Sequence, residues 1–173
     1  MKEVVLDTET TGISIKDGHR LVEIGAIELD NLIPTKNYFH CYLNPERKVS
    51  EKAFEVHGYS DEFLSKQQSF KEVSEEFLAF IENKKIVILD IPLLLENKIN
   101  KKEDILVYVQ SKKLSILKNL KKRKNYNLKL LKRFKEAQLP TSYKKKKSNF
   151  IIKNDFTKRS VNDGIKKILK EIE

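Results

Sequence analysis

Charge is divided so unevenly along this chain that a single uniformly built domain is hard to reconcile with it. Residues 1–88 carry 11 Lys and Arg against 16 Asp and Glu, a net −5, while residues 89–173 carry 24 against 9, a net +15. A break of that size marks two differently composed segments, 1–88 and 89–173, with the join near residues 86–91. At 173 residues the chain has the length of one ordinary domain, so it cannot hold two complete enzymes. The basic segment suits nucleic acid, anionic phosphates or an acidic partner, although a lysine-rich solvated surface explains a charge run equally well.

Other bulk features narrow the class. Cys41 is the single cysteine, which excludes an internal disulfide and a cysteine-based zinc site and reads as a small thiol in a strand. The N-terminus enters the strand-like Val4-Val5-Leu6 with no charged-then-apolar leader, and no apolar run approaches the length of a membrane span. The expectation is a cytoplasmic protein with no membrane partner.

Hydrophobic patterning divides the same way. Val4 to Leu6 is a short apolar strand broken by Thr10-Thr11-Gly12; Leu21 to Leu29 and Tyr38 to Leu43 are two more strands, with a turn over Asn31 to Thr35. An antiparallel meander follows from this order. Ser69 and Glu72 have capping-box spacing, and Val73, Phe77, Phe80 and Ile81 then fall on one helix face. Ile86 to Ile91 reads as a continuous strand stopped by Pro92. Beyond it come a strand at Ile105 to Val109, a basic helix with Leu114, Leu117 and Leu120, and a second with Leu130, Leu131, Phe134 and Ala137. A short strand at Phe150 to Ile152 precedes a last helix capped by Ser160. Alternating strands and helices predict a parallel α/β layer in this segment.

Asp7 and Glu9 stand two apart at a strand end and therefore project to one face. Two carboxylates so close repel unless a cation lies between them, and hard oxygen donors suit Mg²⁺ or Mn²⁺. A bare D-x-E more often means solvated acids, so the surrounding residues decide. These read VVLDTETTG at 4–12, LVEIGAIE at 21–28, FHCYLNP at 39–45 and AFEVHGYSDEFL at 53–64. In order and spacing, residues 3–88 resemble the epsilon-type proofreading exonucleases of bacterial DNA polymerase III, DEDD 3′→5′ exonucleases on a ribonuclease-H-like fold. The resemblance implies that Asp7 and Glu9 are the first two metal-binding carboxylates and that Thr10 and His57 lie near the terminal nucleotide of a DNA 3′ end. Lys52 stands where that family often has a Glu. Two further aspartates and a general-base histidine, which the family supplies from later segments, are not matched, and no histidine follows His57. His57 reads equally well as a packing residue in a loop, and His19 and His40 show no acid–base partner.

From Ile86 onward the sequence reads IVILDIPLLLENKINKKEDILVYVQS, then LKKRK and FKEAQLPTSYKKKKSNFIIKN. This segment, 86–173, resembles the C-terminal half of dephospho-CoA kinase. The resemblance implies dephospho-CoA or ATP as ligand and Arg123 as a phosphate contact on a basic lid. Asn119 occupies a position where that family commonly has an arginine, and the 144–147 lysines and Leu93-Leu94-Leu95 are more simply solvated surface and core. None of the five glycines opens a G-x-x-x-x-G-K-[ST] phosphate loop, so kinase turnover is not expected. The fold expected is α/β: a partial ribonuclease-H-like meander joined to the C-terminal part of a P-loop-kinase-like parallel sheet, a compact chain in which the two parts either share one hybrid sheet or stand as two partly ordered fragments. Both catalytic centres are expected to be incomplete.

Overall fold

The structure is a computed structural model that describes residues 1–91, 93–123 and 126–172. It separates into two units, Met1–Leu93 and Leu94–Glu173. Pro92, expected to stop a strand, and the side chains of Leu130 and Phe134, expected on a helix face, lie outside the described residues.

The first unit is built on four strands, β1 (Lys2–Thr10), β2 (Leu21–Asp30), β3 (Ile33–Tyr42) and β4 (Ile86–Asp90), in the spatial order β3-β2-β1-β4. The first three form an antiparallel meander, and β4 joins β1 in parallel. Residues of even number in β1 and β2 face the core, where Val4, Leu6, Val22, Ile24 and Ala26 are buried. Two short helices, α1 (Glu51–His57) and α2 (Asp61–Ser65), the second with buried Leu64, precede α3 (Phe70–Ile81), which lies on this face and contributes the buried Val73. Phe77 and Phe80 of α3 meet Phe39 of β3 at ring distances of 5.3 and 6.0 Å. Each such apolar side chain contributes about 1.5–3 kcal/mol when fully buried, so α3 is held chiefly by this stripe. The opposite face carries Val5, Asp7, Glu9, Glu23, Ile27 and Tyr38, a mixture that includes half-exposed Ile27.

Two local expectations change here. The turn between β2 and β3 is only Asn31-Leu32, both at positive φ (50° and 66°), a two-residue hairpin whose twist matches the strands. Pro34 therefore lies within β3 rather than in the turn, which an edge strand tolerates because one side of it needs no N–H donors. His57 is the last residue of α1 rather than part of a loop, and Gly58 ends the helix at φ 79°, a left-handed position that favours glycine.

The second unit has a two-stranded parallel sheet, β5 (Val107–Gln110) with β6 (Phe150–Lys153). Its helices are α4 (Lys113–Leu120), α5 (Leu128–Ala137), α6 (Thr141–Lys147) and α7 (Lys158–Ile172). The helix α7 packs on β6 at Gly164, where a Cβ would come within 3.0 Å of the Ile152 side chain. Ile152 is the one buried apolar residue among those described in this unit. Glu96, nearly buried, accepts from Lys144 Nζ at 2.7 Å and from the Leu139 N–H at 2.8 Å. Ser160 does not cap α7: the helix begins at Lys158, and Thr157 Oγ1 accepts from the Ser160 N–H. Of the two sheet arrangements left open by the sequence, the described residues build separate sheets: β4 completes the first unit's sheet while β5 and β6 pair with each other. Among the described residues no helix is long and apolar enough to cross a membrane.

Candidate active site

The end of β1 delivers the two predicted carboxylates to one place. Asp7 and Glu9 project to the same face, and the antiparallel register sets Gly25 opposite Asp7 and Glu23 opposite Glu9. Asp7, Thr8, Glu9, Glu23 and Gly25 line an open depression of about 180 Å³. Gly25 has no side chain to fill it. On the other flank, parallel pairing sets Asp90 of β4 beside Asp7.

Electrostatics in the depression follow from this crowding. Partial burial, then the neighbouring Asp7 and Glu23 charges, push the Glu9 carboxyl above its ordinary pKa. The Asp7 carboxylate accepts from the Thr8 N–H at 2.8 Å. Glu23 is held on both oxygens, by His40 Nε2 at 2.6 Å and by the Tyr59 hydroxyl at 2.7 Å. The Tyr59 phenol is pushed well above its usual range, first by burial and then by donating to that carboxylate. His40 therefore has the acidic partner that sequence reading did not find.

His57 closes one side of an aromatic cluster. Its ring stacks on Tyr59 at 4.8 Å and 21°, and Tyr42 meets Tyr59 edge-on at 5.0 Å. The His57 Nδ1 accepts from the Tyr59 N–H at 3.0 Å, so in the neutral ring the proton sits on Nε2. Burial lowers the His57 pKa and favours that neutral form. Nε2 lies buried beside the Thr10 backbone without a hydrogen bond of good geometry. Thr10 and His57 are thus neighbours, with the Thr10 hydroxyl donating to the Gly12 carbonyl at 2.7 Å. Arg123 belongs to the second unit, where its N–H closes a turn on the Leu120 carbonyl and its side chain is exposed.

Hard carboxylate oxygens on a rigid strand end suit a divalent cation in kind. They do not suit it in number: among the described residues no group of three or more His, Cys, Asp or Glu is arranged to hold a metal ion. Asp7 and Glu9 are a partial donor set. Sequence reading missed Glu23, His40 and Tyr59. Glu23 was findable, because pairing the meander strands places its odd-numbered side chain on the face of Glu9. Tyr59 and His40 depend on long-range contacts that no local pattern encodes.

The chain is similar to several known proteins. The chain is 45% identical over 92 residues to the DNA polymerase III epsilon subunit of Rickettsia typhi, covering 53% of this chain and 40% of that protein. Against the Escherichia coli epsilon subunit it is 46% identical over 91 residues, covering 50% and 37%. The chain thus spans about two fifths of the length of these curated relatives. Among solved structures, the nuclease domain of 3′hExo, a DEDDh family member, aligns with a TM-score of 0.45 at 16% identity, covering 53% of this chain and 52% of that one. None of these matches is to a kinase. The exonuclease profile of the RNase_T family matches residues 4–150, and the chain belongs to that family.

Proposed function

We propose that the first unit is the opening half of a 3′→5′ exonuclease centre, able to bind a divalent cation weakly and a terminal nucleotide beside it, and unable to turn over by itself. The observation that carries this is Asp7 and Glu9 on one strand face, with the Glu9 carboxyl destabilised as an anion first by partial burial and then by the Asp7 and Glu23 charges, a pair that a cation relieves. Mg²⁺ or Mn²⁺, when bound, would supply charge neutralisation for phosphodiester hydrolysis. Asp7 and Glu9 would hold it. Thr10 and His57 would border the DNA 3′ end, with the neutral imidazole held against the Thr10 backbone. The aromatic rings of Tyr59 and Tyr42 flank His57, and Glu23, which lines the same depression, has both oxygens engaged by His40 and Tyr59.

Incompleteness is the second part of the reading. Within the 173 residues no histidine follows His57, so no side chain of the usual general-base type is available downstream, a loss typically of about 10²–10⁴-fold. The test is a Mn²⁺ titration followed by NMR line broadening, together with release of nucleotide from a 3′-labelled single-stranded oligonucleotide. Broadening centred on β1 that disappears in Asp7→Ala, with no Asp7-dependent nucleotide release, is expected. No saturable broadening, or broadening unchanged in the variant, defeats the binding half of the reading. Asp7-dependent release near the median enzyme turnover of about 10 s⁻¹ defeats the other half. The resemblance of residues 86–173 to dephospho-CoA kinase stands on sequence motifs alone, with Arg123 as its proposed anion contact. Calorimetry with dephospho-CoA and ATP, using Arg123→Ala as control, tests it.

A further inference from the structure

The second unit carries 24 Lys and Arg against 8 Asp and Glu, a net +16 over residues 94–173. Among its described residues one cation, Lys144, is in an ion pair, with Glu96. The remaining described cations have no acidic partner in an ion pair. Their arrangement on α6 is more specific than a charge count. In Thr141–Lys147 the sequence TSYKKKK splits by helix face. Lys144 turns inward to Glu96, and Lys145 lies over the Tyr108 ring at 5.9 Å. Tyr143, Lys146 and Lys147 stand at i, i+3 and i+4, so they form one stripe, and all three are exposed. Lys147 Nζ lies 5.9 Å from the centre of the Tyr143 ring. Lysines in the last turn complement the negative end of the helix dipole, which accounts for their sign. It does not account for an exposed ring set among them.

We propose that the Tyr143–Lys146–Lys147 stripe of α6 is a binding surface for single-stranded nucleic acid, the lysines contacting phosphates and the tyrosine stacking on a base. Charge complementarity selects a polyanion, and an aromatic ring interleaved with lysines selects one with exposed base faces. The surface does not require hydrolysis or a metal, so it stands apart from the carboxylate site of the first unit.

The test measures binding of the full chain to labelled oligo(dT) in EDTA across a salt series, which leaves the cation reading out of play. Lys146→Gln/Lys147→Gln should flatten the dependence of log affinity on log salt by about 1.4, at about 0.7 per single-strand phosphate contact. Lys16→Gln/Lys36→Gln, two exposed lysines of the first unit, should not. Tyr143→Ala should weaken oligo(dT) binding about tenfold, the scale of one lost stacking contact. It should leave binding to inorganic polyphosphate unchanged. Circular dichroism confirms that each variant keeps its helix content, since all three side chains are exposed. Equal slopes for the two lysine pairs would overturn the proposal. So would a Tyr143→Ala loss that is the same for polyphosphate, or tighter binding to anionic phospholipid vesicles than to oligo(dT).

Discussion

Glu28 shows how a single residue can tie two strands, the segment after a helix and the N-terminal residues together in the first unit. Its carboxylate is almost fully buried and accepts from Lys2 Nζ at 2.8 Å, from Lys84 Nζ and from the Asn37 amide at 3.2 Å. Those bonds, Lys2 first and Lys84 next, hold its pKa down to about 2 from about 4.5. A folded pKa below the unfolded one means the contribution is fully present above about pH 4.5 and is lost as pH falls toward 2. Glu28→Gln should therefore lower stability to urea at neutral pH, with the gap to the parent chain narrowing through that acidic window. A constant gap would remove Glu28 as its source. Glu9 works in the opposite direction, because its pKa is raised by burial and then by Asp7 and Glu23. Asp7→Asn should bring the Glu9 carboxyl titration, followed by carbon NMR, downward toward its ordinary value. Burial remains in the variant, so the return should be partial.

At the scale of elements, α3 was legible because two independent signals coincide in it. Ser69 and Glu72 mark its start, and the Glu72 carboxylate accepts from the Ser69 N–H at 2.6 Å and hydroxyl at 2.7 Å. Val73, Phe77, Phe80 and Ile81 then repeat at helical spacing, and all four contribute to the first unit's core. Phe77→Ala should cost about 2–3 kcal/mol, since it removes a ring lying against Phe39, whereas Leu78→Ala on the exposed side should cost almost nothing. Equal losses in denaturant melts would mean that the helix is not held by this stripe. Elements went astray where a local signal had competing uses. Pro34 reads as a turn residue, yet the edge position of β3 lets it stay in a strand. Ser160 reads as a cap, yet its hydroxyl is bound to Asp155 and Thr157 takes the role one turn earlier. The carboxylate pair was legible because a strand's period of two fixes its face, while the ring of contacts around Glu23 was not, since His40 and Tyr59 lie 17 and 36 residues away in sequence.

For the whole molecule, the charge break visible in the sequence coincides in sign with two units of unequal build. The first unit, with 11 Lys and Arg against 17 Asp and Glu over residues 1–93, nets −6 and contains nine of the ten buried apolar residues described. The second nets +16, with Ile152 the one buried apolar residue among those described there. Like charges at that density repel, and little apolar burial opposes them, so the second unit should be the more salt-sensitive. Exposed charges are screened over about 10 Å at 0.1 M salt and about 3 Å at 1 M. Hydrogen exchange read by NMR should accordingly slow at β5, β6 and α7 when salt is raised through this range. Amides of β1 and β2, which are fixed by an apolar interior and by pairing on both sides of β1, should change far less. A uniform response across both units would mean that charge self-repulsion does not set the second unit's stability. A response confined to β5, β6 and α7 would show that its marginal order is an electrostatic property, one that a bound polyanion can reverse.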